Sequence, residues 1–362
     1  MSSTLEGRDG VIEEELTNHQ QGLVDTCFEE GHFEAAIALM GQLRSSSAKP
    51  PVSHIRQLVY IALQPEVPPA VNEMVYTDVP SPSKSALKKR IPSGHAVMAA
   101  RRLLSSYAVT NLPQTLARAL PSYDDPRIDQ PPPRSDGSLE SVIGPQSMCI
   151  PNAKSCWNIL AEGFTQKGQN FSLPSRKGKK RTKNHADSDD EPMSETNDIV
   201  GPDAWPILDW LLLLFEQDEI LTAARGTVRF SNLLLQQIPC PRGGNGPRWD
   251  TEFLLRIVFR CLEQQEQRRQ EMGSRLITLL INLSSTGFLD PAMFVSSVYS
   301  SLTAAEIETL PALFSALPPS QPAHEFKVLL CQKLLADTRH SQRRDARPQP
   351  QRPFSQFLGT VS

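Results

Sequence analysis

The chain has 362 residues, which is enough for one large domain or two medium-sized ones. Its hydrophobic fraction is 39%, it contains 31 prolines, and its formal net charge is -3. A charge this close to neutral excludes a global basic field for nucleic acid, so any such contact would need a local cluster. The low apolar fraction and the many prolines favour folded segments separated by disordered ones.

Residues 23–43 form the clearest local unit of the first half. Two apolar stripes at helical spacing flank Gly31: Leu23, Val24, Cys27 and Phe28 before it, and Phe33, Ala36, Ile37, Met40 and Leu43 after it. This pattern predicts an αα-hairpin with a glycine turn. The segment resembles one hairpin of the tetratricopeptide or pentatricopeptide repeats, but no second copy follows at their repeat length of about 34 residues.

Four further helices are predicted in the N-terminal region, residues 1–165. One is capped by Ser53 and ends before Pro65, and the others cover residues 95–107, 113–120 and 153–164. Residues 121–138 contain a run of three prolines and are predicted to be a loop. His32 and His54 lie at predicted helix ends, where capping or surface roles are expected.

Residues 166–202 carry few apolar side chains and two charge blocks of opposite sign. Such a segment cannot bury enough surface to offset its ordering entropy, so it is predicted to be a disordered linker. A C-terminal helical domain, residues 203–338, is expected to follow it. Residues 339–362 are rich in arginine and are predicted to be a disordered tail.

The C-terminal domain begins with the most apolar helix of the sequence, residues 205–221. It is too short and too interrupted by Asp209 to span a bilayer, so a buried helix is predicted. Farther on, Asp290 and Pro291 match the N-cap and first position of a helix, and Thr303 with Glu306 matches a capping box. The predicted fold class is all-α: helical hairpins or an irregular helical bundle in two regions joined by the linker.

Motifs for catalysis and for cofactors are absent from the sequence. The six cysteines have no C-x-x-C spacing, no phosphate-binding loop or nucleophile elbow is present, and no histidines form an H-E-x-x-H pair. We therefore expect no catalytic residue, no metal site, no cofactor and no small-molecule substrate. The first ten residues lack an apolar stretch, which favours a reducing cytosolic or nuclear compartment.

The linker contains a dense basic run, and three functional hypotheses compete for it. Its cations are Arg176, Lys177, Lys179, Lys180, Arg181 and Lys183. An extended basic run is typical of nuclear import signals, although it also attracts phosphate backbones or can be merely solvated. Ser188, before three acidic residues, and Ser81, in a Ser-Pro-x-Lys pattern, are candidate phosphorylation sites, and a phosphate on Ser188 would oppose the basic run.

The tail ends in a candidate docking motif formed by Gln351, Phe354, Phe357 and Leu358. It resembles the box by which proteins dock on the replication sliding clamp: a Gln, an aliphatic residue three positions later, then two aromatic residues. Phe354 replaces the aliphatic residue and Leu358 replaces the second aromatic one. The resemblance implies docking of the tail on a protein partner.

These features favour a non-enzymatic nuclear adaptor or scaffold that binds partner proteins through helical surfaces. The basic run and the tail suggest a chromosome-maintenance or DNA-repair complex. The alternative is an RNA-associated or ribosome-assembly factor that uses the basic linker to contact RNA, but that run has no aromatic residues for stacking on bases. Protein partners are expected, nucleic-acid contact would be weak, and no membrane association is expected.

Overall fold

The computed structural model of the chain describes residues 13–66, 91–123, 143–167, 198–240, 246–248, 250–304 and 309–345. Helices account for 66% of the structure, and the strands among these residues are only two residues long. The predicted all-α class is therefore confirmed. The helices pack around one hydrophobic core that includes residues from both halves of the chain.

The predicted N-terminal hairpin is present as helices α1, Asn18–Glu29, and α2, Phe33–Leu43. Thr17 begins α1 with a capping box, in which its hydroxyl accepts from the backbone of Gln20 and the Gln20 side chain accepts in return. Gly31 makes the turn with a φ of 76°, a left-handed conformation that favours glycine. The two helices pack against each other, as the apolar stripes predicted.

A parallel pair of short strands, β1 (Glu14–Glu15) and β2 (Ala48–Lys49), flanks this hairpin. Asn111 fastens the pair to the rest of the fold, because its side-chain amide donates to the carbonyl oxygen of Ala48 at 2.7 Å. The carboxylate of Glu13 accepts from the same amide at 3.1 Å.

Helices α3 (Val52–Ala62), α4 (Gly94–Thr110) and α5 (Pro113–Ala117) complete the first half of the core. Both α2 and α3 pack against α4. The expectation that Ser53 caps α3 was wrong, because the cap position is Pro51 and Ser53 lies inside the helix.

The helix predicted over residues 153–164 is wrong as well. The region contains α6 (Ile143–Ser147), a 3-10 turn at Asn158–Leu160 and α7 (Phe164–Lys167), separated by turns. Residues 155–157 and 159–160 are all buried. The core therefore surrounds the segment, whereas an amphipathic helix would bury only one face. The side chain of Gln237 accepts from the Cys156 amide at 2.9 Å and fixes this irregular path.

Helix α8, Trp205–Ala224, is the centre of the molecule and confirms the predicted buried helix. Helices α3, α4 and α5 contact it from the first half of the chain, and α11, described below, contacts it from the second. Because neighbours surround it, apolar side chains cover nearly its whole circumference. No helix among the described residues combines the length and the apolar character that crossing a membrane requires.

Three helices follow α8: α9 (Asn232–Leu235), α10 (Glu252–Leu262) and α11 (Gln267–Ser284). Helices α10 and α11 pack extensively against each other. Gly273 allows this approach, since a Cβ atom there would lie 2.8 Å from the Cβ of Cys261.

The last helices are α12 (Pro291–Ala304), α13 (Thr309–Ala316) and α14 (Gln321–Asp345). Asp290 caps α12 as predicted, because its carboxylate accepts from the Met293 amide at 3.0 Å. The predicted capping box at Thr303 is wrong: Thr303 lies within α12, and its hydroxyl donates to the carbonyl of Ser300. Helix α14 continues to Asp345, past the boundary predicted at residue 338.

The two halves of the chain are joined directly by polar contacts as well as by the core. The guanidinium of Arg101 on α4 donates to the carbonyl of Ala62 at 3.0 Å and to the carbonyl of Asp203, just before α8, at 3.3 Å. Residues 198–202, which were assigned to the linker, also pack on the first half, since Gly201 donates its amide to the carbonyl of Leu160 at 2.8 Å.

Candidate functional site

An open groove lies between α10 and α12, with a cavity volume of about 750 Å³. We call it the α10/α12 groove. Residues 198–199, which precede α8, contribute to its lining. Its lining residues are Asp198, Ile199, Glu252, Arg256, Phe259, Arg260, Glu263, Met293, Ser296, Ser297, Ser300 and Ser301.

The wall formed by α10 is charged. This helix is strongly amphipathic, with a fully buried apolar face that includes Leu254 and Val258. Its other face carries Glu252, Arg256, Arg260 and Glu263, which are spaced by three or four residues and so follow one line along the helix. Phe259, which is 7% exposed, lies between these charges and contributes an apolar surface.

The wall formed by α12 carries small side chains. Its buried face anchors it in the core through Phe294 and Val298, and its other face presents four serines to the groove. The hydroxyl of Ser296 donates to the carbonyl of Ala292 at 2.8 Å, and that of Ser300 donates to the carbonyl of Ser296 at 3.0 Å. The protons of these two hydroxyls are therefore bonded within the helix, while their oxygens remain available as acceptors.

Asp198 lines the groove and forms an ion pair with Arg260 of the α10 wall. The Nη2 atom of Arg260 lies 2.9 Å from Oδ1 and 2.8 Å from Oδ2 of Asp198. Ile199, the next residue, lines the groove beside it.

Two charges of the α10 wall have no partner among the described residues. Arg256 lies one helical turn before Arg260 and is exposed, and its guanidinium makes no hydrogen bond or ion pair there. Glu252, one helical turn before Arg256, is also exposed and also makes no hydrogen bond or ion pair there. In addition, the Nε atom of Arg260 is buried without a hydrogen-bond acceptor. The α10 wall thus presents one cation and one carboxylate that the described part of the chain leaves unpaired.

A second polar cluster lies at the centre of the fold, where α8 carries two adjacent buried carboxylates. Asp218 accepts from the side chain of Gln114 at 2.6 Å, from the Ser231 hydroxyl at 2.8 Å and from the Leu233 amide at 2.8 Å. Glu219 accepts from Arg229 at 3.0 Å and from Asn282 at 2.7 Å. Every one of these partners lies outside α8, so the cluster connects α8 to the neighbouring segments of the bundle.

Three of the described cysteine thiols are unsuited to nucleophilic chemistry, because burial raises their pKa. Burial raises the pKa of Cys149 to about 11 and that of Cys261 to about 12, and it raises the pKa of Cys156 well above its ordinary value. These thiols stay protonated at neutral pH and behave as small apolar groups. Within the described ranges, no group of three or more His, Cys, Asp or Glu side chains could hold a metal ion.

The two histidines expected at helix ends differ. His32 is exposed near Glu30, as expected for a surface residue. The expectation was wrong for His54, whose side chain is 1% exposed and whose Nε2 lies 2.9 Å from Oδ1 of Asp25. Its ring also packs near Phe28, so this histidine belongs to the core between α1 and α3.

The site residues predicted from sequence all lie outside the described residues. They are the import candidates Arg176, Lys177, Lys179, Lys180, Arg181 and Lys183, the phosphorylation candidates Ser81 and Ser188, and the docking candidates Gln351, Phe354, Phe357 and Leu358. Sequence reasoning missed the α10/α12 groove. The available signal was the line of charges at three- and four-residue spacing on α10, next to a helix whose polar positions are serines.

Comparison with protein-family models, with curated proteins and with solved structures gave no match to this chain.

Proposed function

We propose that this protein is a non-enzymatic adaptor of the nucleus, which binds partner proteins through its helical surface in a chromosome-maintenance or DNA-repair complex. The observation that supports partner binding best is the α10/α12 groove, an open cleft that is lined by charged, apolar and small side chains. An elongated groove between two packed helices has the form of a peptide-binding surface.

The composition of the groove supports the same role. Met293, which is 46% exposed, offers apolar contact area, and the charged side chains of α10 also line the groove. Protein interfaces commonly combine an apolar centre with a charged rim, where the apolar anchors supply most of the affinity. Methionine suits this position because its flexible side chain adapts to different partners.

The test is affinity purification of the intact protein with a blocked groove. Ser300 is exposed on the serine wall, so Ser300→Trp should fill the groove and leave the buried face of α12 intact. Ser105 on α4 is the matched control: it is also exposed, and its hydroxyl makes the same bond to the preceding turn, at 3.1 Å to the carbonyl of Arg101.

We expect mass spectrometry to find a set of partners with the wild type and with Ser105→Trp that Ser300→Trp loses. Recovery of the same partners with all three proteins would contradict binding in the groove. Nuclease treatment separates the alternative, because partners held through RNA would disappear with the nucleic acid and would point to an RNA-associated factor.

The nuclear part of the proposal is supported by the basic run of the sequence. Replacing Lys179, Lys180 and Arg181 by alanine in a tagged protein should shift it to the cytoplasm. Unchanged nuclear accumulation would remove these residues from the proposal.

A further inference from the structure

The C-terminal helix α14 has two faces of different character. Its inner face packs on the fold through Phe326, whose ring centre lies 5.6 Å from that of Phe294, and through the fully buried Leu330. Its outer face is exposed along two adjacent lines at three- and four-residue spacing. These lines, which we call the outer face of α14, are Val328, Cys331 and Leu335, and Leu329, Gln332 and Ala336.

The outer face of α14 is apolar for a surface. Val328 is 54% exposed, Leu329 44% and Leu335 58%, and no other run of nine described residues contains three exposed large apolar side chains. None of the six residues is charged, while Glu325 and Lys333 border the face. Single exposed apolar residues are ordinary, but an uncharged apolar cluster with a polar border is typical of a binding surface.

The size of the outer face favours an occupant from the same chain. The face is roughly 12 Å long and 10 Å wide. A stable interface between separate proteins buries about 800 Å² on each partner, which is more than this face provides. A segment of the same chain binds as if it were present at about millimolar concentration, so that a small contact area is enough.

The segment that follows α14 contains a matching apolar triplet. Phe354, Phe357 and Leu358 are spaced by three residues and one residue, so a single helical turn places them on one side. Side chains in this arrangement are the usual anchors of a short segment on an apolar helical surface.

The triplet is also within reach of the outer face. The face lies about 14 to 26 Å before the end of α14 at Asp345. The nine residues 346–354 span up to about 30 Å when extended, so a chain that turns back after α14 can place the triplet anywhere along the face. Pro348 and Pro350 disfavour a continued helix, which would carry the triplet away from it.

We propose that the tail folds back on α14 and covers its outer face with Phe354, Phe357 and Leu358. This inference goes beyond the proposed function and does not depend on the α10/α12 groove. The three side chains also belong to the candidate docking motif of the sequence, so the motif is covered while the tail lies on α14. A protein that binds the motif must therefore displace it from the helix, and the two contacts compete.

Cys331 reports whether the outer face is covered, because it is an exposed cysteine within that face. The experiment measures how fast a maleimide labels Cys331 in the reduced full-length protein, by peptide mass spectrometry, with the exposed Cys240 as internal reference. Wild type is compared with the double variant Phe354→Ser, Phe357→Ser. The matched control is Val361→Ser, which removes an apolar side chain of the tail outside the triplet.

We expect Cys331 to react about tenfold faster in the double variant than in wild type and in Val361→Ser, and Cys240 to react equally in all three. This factor corresponds to an effective concentration of about 1 mM and an intrinsic Kd of about 0.1 mM. A synthetic peptide of residues 346–362, added at about 1 mM, should slow the labelling of Cys331 in the double variant again. Unfolding of α14 would not be reversed in this way.

Three results would overturn the proposal. Equally fast labelling of Cys331 in wild type and the double variant would show that the face is uncovered, and equally slow labelling would show that something other than the triplet covers it. Protection in wild type that disappears on dilution, together with a dimer in sedimentation, would assign the face to a second copy of the chain. The proposed function stands in each of these cases, because none of them involves the α10/α12 groove.

Discussion

Two regions of the molecule use charged side chains in opposite ways. On α8, the carboxylates of Asp218 and Glu219 are each 2% exposed, and both accept hydrogen bonds from side chains of other elements. In the α10/α12 groove, Arg256 is exposed and has no partner among the described residues. The first arrangement connects parts of the chain to each other, and the second leaves a charge available to a ligand.

The difference follows from the cost of desolvation. A buried carboxylate without donors would destabilise the fold by several kcal/mol, so Asp218 must find its donors within the chain. An exposed guanidinium keeps its water and costs the fold almost nothing. Substitution of Asp218 should therefore lower the stability of the fold much more than substitution of Arg256. Substitution of Arg256 should in turn affect ligand binding more than stability.

The largest expected effect comes from Asp218→Ala. It leaves the Ser231 hydroxyl, the Leu233 amide and the Gln114 side chain without their acceptor in the centre of the bundle. We expect the free energy of unfolding to fall by about 3 kcal/mol, measured by urea denaturation. Arg256→Ala, the matched change in the groove, should alter it by less than about 0.5 kcal/mol.

This comparison fails if the two variants are equally stable. A large loss in Arg256→Ala would show that its guanidinium holds the fold together, and the groove would then lose its free charge. A negligible loss in Asp218→Ala would mean that water replaces the carboxylate at the centre of the bundle.

The sequence predicted the central elements of the fold because their patterns are local. The hairpin around Gly31 and the buried helix α8 are each defined by consecutive residues, and both are present. Predictions failed where the structure depends on distant partners. Trp157 lies in an irregular segment because its indole donates to the carbonyl of Gln237 at 3.0 Å, a contact that no local pattern reveals.

The groove could not be predicted for the same reason. It brings together Asp198, the α10 wall and the α12 wall, which are separated in the chain by other helices of the bundle. The cap residues Asp290 and Pro291 predicted the start of α12, but no local pattern shows that the polar faces of α10 and α12 lie side by side. The polar motifs that are readable from the sequence alone, such as the basic run, instead fall outside the described residues.

A smaller effect is expected at Gly273, which tests the packing that supports the charged wall of the groove. A Cβ atom there would lie 2.8 Å from the Cβ of Cys261 and 3.0 Å from the carbonyl oxygen of Val258, both on α10. We expect Gly273→Ala to lower the free energy of unfolding by about 1 to 2 kcal/mol, because the clash outweighs the better helix propensity of alanine.

Gly22 is the matched control for this change, since it is also a helical glycine and a Cβ there would meet no atom within 4 Å. Gly22→Ala should stabilise the protein by about 0.5 kcal/mol. Equal effects of the two substitutions would show that α10 and α11 do not pack closely at Gly273.

The smallest effect concerns acid stability at the ion pairs between α8 and α11. Burial opposes ionisation of Asp209, but hydrogen bonds from Arg268 at 2.8 Å and from Arg275 at 2.5 Å outweigh it and hold the pKa of this carboxyl below its ordinary value. Since the pKa is lower in the folded protein than in the unfolded chain, ionised Asp209 stabilises the fold above pH of about 4, and this contribution disappears as pH falls through the folded pKa.

Asp209→Asn should therefore be less stable than wild type by less than about 1 kcal/mol at neutral pH, because Arg268 is largely exposed. The difference in melting temperature between the two proteins should shrink below pH 4. A difference in melting temperature that stays constant down to the lowest pH would show that ionisation of Asp209 does not stabilise the fold.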